Sequence, residues 1–164
     1  MVILAISFGV ALLDQATKYL VRANLVLGRP VEIIPGFFNL TYVRNTGAAW
    51  GIFAGLNNWL IVLSAVMLTF LVLFRRSILT DSLVHRCAAG LLIAGIVGNL
   101  VDRLRLGYVV DFLDFHWMGA ARFPAFNVAD MAICTGVGLY ILTQLAGRPE
   151  EAPDSASDAA APPS

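Results

Sequence analysis

The chain has 164 residues, of which 59% are hydrophobic and 13% are charged, and its formal net charge at pH 7 is zero. Soluble domains carry about 25% charged residues, so this composition excludes an ordinary soluble domain and indicates a protein that crosses a membrane several times. The length allows one such membrane domain and little else. Because the charges balance, nucleic acid is not an expected partner.

Four apolar segments follow one another along the chain, covering about residues 2–21, 58–74, 84–104 and 126–145. At about 1.5 Å per residue, helices of these lengths cover most of a hydrocarbon core about 30 Å thick. The first segment lacks the basic region and the small-residue cleavage site of a signal peptide, so we expect it to be a retained span. We therefore predict an all-α polytopic membrane protein with four transmembrane helices.

Two loops and the C-terminal tail differ from these spans in amino-acid composition. VEII, Pro35-Gly36 and FFNLTYVRN place β-branched and aromatic residues around a turn signal, which predicts a short hairpin or small sheet. The stretch YVVDFLDFHW has the same character and is a candidate further strand. The tail, residues 147–164, is rich in Pro, Ala, Ser and acids, so it is predicted to be disordered beside a membrane-embedded domain of residues 1–146.

Polar residues gather at matching ends of three of these segments. They are Asp14 and Lys18 near the end of the first, Asn99, Asp102 and Arg103 near the end of the third, and Asn127 and Asp130 near the start of the fourth. Because successive spans run in opposite directions, these ends lie at one face of the membrane, beside the loop that carries Asp111. Ionisable groups at the edge of a membrane are costly and imply function. The distribution of Lys and Arg among the loops does not decide which face this is.

Each of these polar groups also has a purely structural interpretation. Asp14 and Lys18 have the i, i+4 spacing of a helical ion pair with the acid first, so they are predicted to neutralise each other. Asn99, Asp102 and Arg103 share one helix face, as the members of a helix-capping network would. Both interpretations stay open beside a functional one.

The sequence contains none of the motifs HExxH, GxSxG or a glycine-rich phosphate loop. The remaining chemistry is that of carboxylates in a semi-apolar setting. Two neighbouring carboxyl groups share a proton, so that one acts as a base toward water while the other donates to a carbonyl. This pattern favours peptide hydrolysis by an aspartic dyad. In a strand Asp111 and Asp114 would point to opposite faces, so only one should face the site, and Asp114 is expected to meet water.

Two other classes of protein fit the same composition. A small proton-coupled carrier also has four spans and intramembrane carboxylates, but carriers hold these groups near the midplane of the membrane, whereas here they lie near helix ends. A non-catalytic assembly subunit would keep its carboxylates only as interfacial groups.

Five motifs occur in order along the chain: DQATK (Asp14–Lys18), NTGAAWG (Asn45–Gly51), GNLVDR (Gly98–Arg103), VVDF (Val109–Phe112) and FNVAD (Phe126–Asp130). In these motifs and their spacing the chain resembles bacterial lipoprotein signal peptidase (signal peptidase II), a family of aspartic membrane peptidases. The resemblance extends from Asp14 to about Ile133. Two departures, Trp50 in place of the usual Phe and AGIVGN in place of GGAxGN, touch packing or the substrate groove.

The resemblance implies a role for each matching residue. Asp111 and Asp130 match the catalytic aspartates. The expected substrate-binding and supporting residues are Asn45, Gly47, Asn99, Asp102, Arg103 and Asn127, with Asp14 and Lys18 as the supporting pair. No metal and no other cofactor is expected.

The resemblance also implies a substrate and a location. The substrate class is lipid-modified prolipoproteins, whose signal peptide is removed by cleavage just before the cysteine that carries diacylglycerol. The family is multi-pass in the bacterial inner membrane, with both termini in the cytoplasm and the active site at the outer face, so the small β-structure would be extracytoplasmic. We expect the protein to be a monomer and, besides its prolipoprotein substrates, to contact membrane lipid.

Overall fold

The computed structural model describes residues 1–47, 52–53, 55–74, 82–116 and 123–146. In this part of the chain the elements follow one another as α1 (Val2–Asn24), β1 (Val31–Ile34), β2 (Phe38–Asn45), α2 (Asn57–Leu73), α3 (Leu83–Leu106), β3 (Val109–Phe115) and α4 (Val128–Ala146). The predictions about the tail after residue 146 and about Trp50 lie outside the described residues.

Three of the helices, α1, α3 and α4, are long and apolar enough to cross a membrane. Helix α2 is also apolar but has only 17 residues and ends at Leu73, just before residues 75–81, which the structure does not describe. The described part of the chain therefore contains three candidate spans, and the fourth stays a prediction.

Helix α3 is the central helix of the bundle and packs against each of the other three. Half of its most apolar window is buried, against 11% for α1 and 17% for α4. The outer helices instead expose large apolar side chains, among them Leu4, Phe8, Val66, Phe70 and Leu142. This distribution suits hydrocarbon rather than water as the surrounding solvent.

Small residues let α3 approach its neighbours closely. A Cβ atom on Gly98 would lie 2.6 Å from the Asp14 Oδ2 atom of α1. A Cβ atom on Gly95 would meet the backbone of Ala129 and lie 2.6 Å from Ile133 Cγ1, both in α4. These contacts draw the polar ends of α1, α3 and α4 together.

The three strands form one antiparallel sheet in the order β1-β2-β3. The β1–β2 hairpin turns at Gly36, whose φ of 70° is one that glycine adopts readily. Residues of β2 and β3 pack with the end of α1 in a small core of Val21, Tyr42, Val110 and Phe112. The predicted small sheet is confirmed, including β3, and it attaches the Asp111 strand to the helices.

The fourth apolar helix begins at Val128, close to the predicted start at about 126, and the backbone of Phe126 just before it hydrogen-bonds to that of Leu113 in β3. One prediction about β3 is wrong. Asp114 does not meet water, since it is only 7% exposed. The reason is that β3 is covered on both faces, so that every residue from Val109 to Phe112 is buried as well as Asp114.

Candidate active site

The structure brings the two predicted catalytic residues to one cavity of about 520 Å³, although they lie on different elements. Asp111 is in the middle of β3, and its side chain is almost fully buried. Asp130 is in the first turn of α4. Asn45, Asn99 and Arg103 line the same cavity beside them, which places five of the predicted site residues around one space.

Each carboxylate oxygen of these two aspartates accepts a hydrogen bond from nitrogen. For Asp111, the donors are Asn127 Nδ2 at 2.6 Å to Oδ1 and Asn45 Nδ2 at 2.9 Å to Oδ2. For Asp130, the donors are Asn99 Nδ2 at 2.7 Å to Oδ1 and the backbone N–H of Asn127 at 3.1 Å to Oδ2. Asn127 therefore contacts both carboxylates and links them.

The position of Asn127 follows from how α4 begins. Its side-chain Oδ1 accepts from the backbone N–H of Asp130 at 3.0 Å, while its own backbone N–H donates to the Asp130 carboxylate. This reciprocal pair is a capping box, in which the first and fourth residues satisfy each other's free N–H groups. The capping box leaves the Asn127 Nδ2 group free to donate to Asp111.

The setting of Asp111 changes its acidity. Burial raises the pKa of the Asp111 carboxyl to about 7, and the negative charge of Asp130 acts in the same direction. Hydrogen bonds from Asn45 and Asn127 and the charge of Lys18 lower the pKa, but less strongly. A carboxyl group with this pKa exchanges its proton near neutral pH, as a general acid or base must.

The predicted ion pair between Asp14 and Lys18 is present, with Nζ to Oδ2 at 2.9 Å, and it is part of a larger cluster. Lys18 Nζ also lies 3.0 Å from Asp102 Oδ2 and donates to Asn99 Oδ1 at 2.9 Å. Asp14, Lys18 and Asp102 are all buried. None of these three residues lines the cavity, and Asn99 connects the cluster to Asp130 by a hydrogen bond.

Sequence reasoning missed Gln15, which is a fourth member of this cluster. Its Nε2 group lies 3.2 Å from Asp14 Oδ2, 3.1 Å from Gly98 O and 3.1 Å from Asp102 Oδ1. The one indication in the sequence that Gln15 belongs to the cluster is its place in the DQATK motif, directly after Asp14. An uncharged amide on the polar face of α1 gives no other indication of where it binds.

Gly47 and Arg103 meet at the edge of the site through the backbone. Arg103 Nη2 donates to the Gly47 carbonyl oxygen at 3.0 Å, and the Gly47 N–H donates to Asn45 Oδ1 at 2.9 Å. This contact ties the end of β2 to α3 and orients the Asn45 amide, whose Nδ2 group donates to Asp111. The structure does not describe residues 48–51, which follow this contact.

Away from the aspartates the cavity is apolar. Helix α2 contributes four residues from one helix face, within two turns: Leu60, Leu63, Ser64 and Met67. The Ser64 hydroxyl donates to the backbone carbonyl of Leu60 in its own helix. Ile96 of α3 and Ile133 of α4 line the cavity as well. Helix α2 packs on α3 and makes little contact with α1 or α4. The cavity thus combines one polar end with a long apolar wall, which suits an amphiphilic ligand.

Among the described residues no group of three His, Cys, Asp or Glu side chains is arranged to hold a metal ion. The polar side chains that line the cavity include two carboxyl groups, two amides and one guanidinium, which can exchange protons or form hydrogen bonds.

Comparison with known proteins gives concordant results. The family model described as signal peptidase (SPase) II matches residues 6–146. A lipoprotein signal peptidase of Syntrophotalea carbinolica is 45% identical over 146 residues, covering 87% of this chain and 90% of that protein. One of Desulforapulum autotrophicum is 47% identical over 135 residues, covering 79% and 82%.

Solved structures agree with these relatives. A bacterial membrane enzyme structure determined by the in meso method at 2.3 Å resolution has a TM-score of 0.81 and 38% sequence identity, covering 88% of this chain and 87% of that one. A second such structure, at 1.9 Å resolution, has a TM-score of 0.79 at the same identity, covering 89% and 94%. The matches in sequence and in fold thus span most of the chain, and the protein belongs to the signal peptidase II family.

Proposed function

We propose that this protein is an aspartic endopeptidase that removes the signal peptide from lipid-modified prolipoproteins, cleaving just before the diacylglyceryl-cysteine. The observation that carries the proposal is the pairing of Asp111 and Asp130 in one cavity whose remaining wall is apolar. The raised pKa of Asp111 supports an acid–base role at neutral pH. The names of the relatives, which are lipoprotein signal peptidases, support the substrate class.

In this mechanism one of the two carboxyl groups is ionised and the other is protonated. The carboxylate takes a proton from a water molecule, whose oxygen attacks the scissile carbonyl carbon, while the protonated partner donates to the carbonyl oxygen. The resulting diol collapses as the first carboxyl returns its proton to the leaving amine and a diol hydroxyl returns its proton to the second. The products are a signal peptide with a C-terminal carboxyl group and a lipoprotein with an N-terminal cysteine.

The amide side chains stabilise the charge that this cycle moves. Asn45 and Asn127 donate to Asp111, and Asn99 donates to Asp130, so each aspartate keeps N–H partners when it is ionised. Arg103 holds the Gly47 carbonyl at the edge of the cavity, where the peptide backbone of a substrate would pass. We assign Asn45, Gly47 and Arg103 to substrate binding on this basis.

The apolar wall supports a substrate that stays partly in the bilayer. Because α2 makes little contact with α4 in the described part of the chain, and both helices line the cavity, we place the entry route of the substrate between them. A lipid-modified precursor would enter along this route and present its peptide bond to the carboxyl groups at the polar end. Its acyl chains would then remain in an apolar environment throughout.

For the whole chain we propose four spans, with α2 as the short second span, in the bacterial inner membrane. Both termini would be cytoplasmic, and the site would lie at the outer face. The ends of α1 and α3 and the start of α4 meet at one end of the bundle, which is consistent with alternating spans. We further propose that residues 1–146 form the working domain and that the enzyme is a monomer.

The test is incubation of the purified protein with a lipidated precursor and with the same precursor before lipidation. Mass spectrometry should detect a product that begins with the diacylglyceryl-cysteine, from the lipidated precursor alone. Equal cleavage of both precursors would contradict the substrate assignment. Cleavage of neither would contradict the peptidase assignment and return a carrier or an assembly subunit as the leading alternative.

A further inference from the structure

The ammonium group of Lys18 has no donor left to give to the cavity. Its three N–H groups are taken by Asp14 Oδ2 at 2.9 Å, Asp102 Oδ2 at 3.0 Å and Asn99 Oδ1 at 2.9 Å. Lys18 is 2% exposed, Asp14 0% and Asp102 3%. A buried carboxylate without a cation is strongly destabilising, and here one lysine pairs with two buried acids inside the bundle.

The Asp102 carboxylate accepts a hydrogen bond from the backbone of β3, the strand that carries Asp111. Its Oδ2 atom accepts from the backbone N–H of Val110 at 3.1 Å. Val110 is fully buried and directly precedes Asp111. The contact joins the last turns of α3 to the start of β3 and restrains the position from which the Asp111 side chain projects.

Asp14 does the same for the helix that carries Asp130. Its Oδ1 atom accepts from the backbone N–H of Ala129 at 2.9 Å. Ala129 is fully buried and directly precedes Asp130. It is the second residue of α4, where an N–H group has no partner within the helix. A carboxylate from α1 supplies that partner and so fixes how α4 begins.

We infer that Asp14 and Asp102 are positioning residues, each holding the peptide N–H directly before one of the paired aspartates, and that Lys18 ties the two together. Asp102 acts on Asp111, and Asp14 acts on Asp130. The catalytic consequence rests on the proposed function, whereas the two backbone contacts and their separate effects do not. Reacting groups must be held within about 0.5 Å of their working positions, which gives such restraints a purpose.

The test uses amide hydrogen exchange of the ¹⁵N-labelled full chain in detergent micelles, followed by NMR at Val110 and Ala129. Asp102→Ala removes the acceptor for Val110 and is expected to speed exchange there about tenfold or more, with little change at Ala129. Asp14→Ala should do the reverse. Asp102→Asn and Asp14→Asn keep an acceptor oxygen and should restore much of the protection.

Glu32 offers a matched control on the exposed hairpin. Its Oε1 atom accepts from the backbone N–H of Gly36 at 3.0 Å, which is the same kind of bond far from the cluster. Glu32→Ala should leave exchange at Val110 and Ala129 unchanged. If an alanine variant of the cluster fails to fold, the asparagine variant still provides a test. Asp102→Asn should shift the amide proton resonance of Val110 and leave that of Ala129 in place, and Asp14→Asn should do the reverse.

Two results would overturn the inference. The first is unchanged protection and unchanged resonances at both amides in all cluster variants. The second is equal loss of protection at both amides in Asp102→Ala and in Asp14→Ala, which would indicate general loosening of the bundle.

In the cleavage assay, we expect Asp102→Ala to lower kcat about tenfold or more with KM little changed, and Asp102→Asn to recover part of the loss. If the wild-type protein does not cleave a lipidated precursor, the proposed function fails while the exchange result still stands.

Discussion

At the scale of single residues, the raised pKa of Asp111 makes stability depend on pH in an unusual direction. Between the ordinary aspartate value of 3.8 and about 7, the folded chain keeps a proton on Asp111 that the unfolded chain has released. The folded state therefore binds more protons in this window, and its stability decreases as pH rises. Most carboxylates in proteins have the opposite effect.

Asp111→Asn removes this pH dependence, because an amide is neutral at every pH. The free energy of unfolding of the variant minus that of wild type should therefore increase from pH 5 to pH 8, by on the order of 1–3 kcal/mol. Melting temperatures of the two proteins in the same detergent at both pH values measure the change. A difference between them that is the same at pH 5 and pH 8 would show that Asp111 has an ordinary pKa.

Lys18 should be coupled energetically to its two acidic partners. Lys18→Met alone leaves Asp14 and Asp102 buried without a cation, so it should cost more stability than Lys18→Met combined with Asp14→Asn and Asp102→Asn. We expect a coupling between Asp14 and Lys18 of about 0.5–2 kcal/mol, since polar contacts in membranes are often weak. A double-mutant cycle on thermal stability in detergent measures it. Simple additivity would mean that the pair contributes no interaction energy.

At the scale of elements, close contact between α1 and α3 depends on Gly98. A methyl group there would lie 2.6 Å from Asp14 Oδ2, so Gly98→Ala must displace Asp14 or separate the helices. Overpacking of this kind costs about 1–3 kcal/mol, and we expect cleavage activity to fall with stability.

Gly138 in α4 is the matched control, because a Cβ atom there would meet nothing within 4 Å. Gly138→Ala should retain activity and melt no lower than wild type, since alanine is the better helix former. Thermal unfolding and precursor cleavage of both variants provide the comparison. Equal behaviour of the two variants would contradict the packing argument.

Several elements could be predicted from local sequence, and others could not. The i, i+4 spacing predicts the Asp14–Lys18 pair, and the Pro35-Gly36 turn between β-branched runs predicts the hairpin. The apolar pattern predicts a start of α4 at about 126, and it does not reveal that Phe126 pairs with β3 before the helix begins at Val128. The sequence also does not predict the other two partners of Lys18, Asp102 and Asn99. The contacts of Asp102 with Lys18 and with Val110 depend on how α1, α3 and β3 pack, which spacing within one segment does not encode.

At the scale of the whole molecule, the cavity is lined by residues of α2, α3, β2, β3 and α4, with α1 packed behind it, so we expect activity to require the bundle but not the tail. The tail has too few large apolar residues to pack. Deletion of Pro149–Ser164 should therefore leave cleavage unchanged in membranes that contain equal amounts of protein, as measured by immunoblot and precursor assay. A marked loss of activity in the truncated protein would assign the tail a role.

Asp111 and Asp130 are proposed to act as a pair, and the cleavage rate of a lipidated precursor by three asparagine variants tests this. Asp111→Asn and Asp130→Asn should each abolish cleavage while the helix content stays near that of wild type, because general acid–base groups contribute about 10²–10⁴-fold to the rate. Asp114→Asn also removes a buried carboxylate from β3, but from the face opposite Asp111, so it should retain activity. If Asp111→Asn or Asp130→Asn keeps more than about a tenth of the wild-type rate, that residue is not half of a catalytic pair.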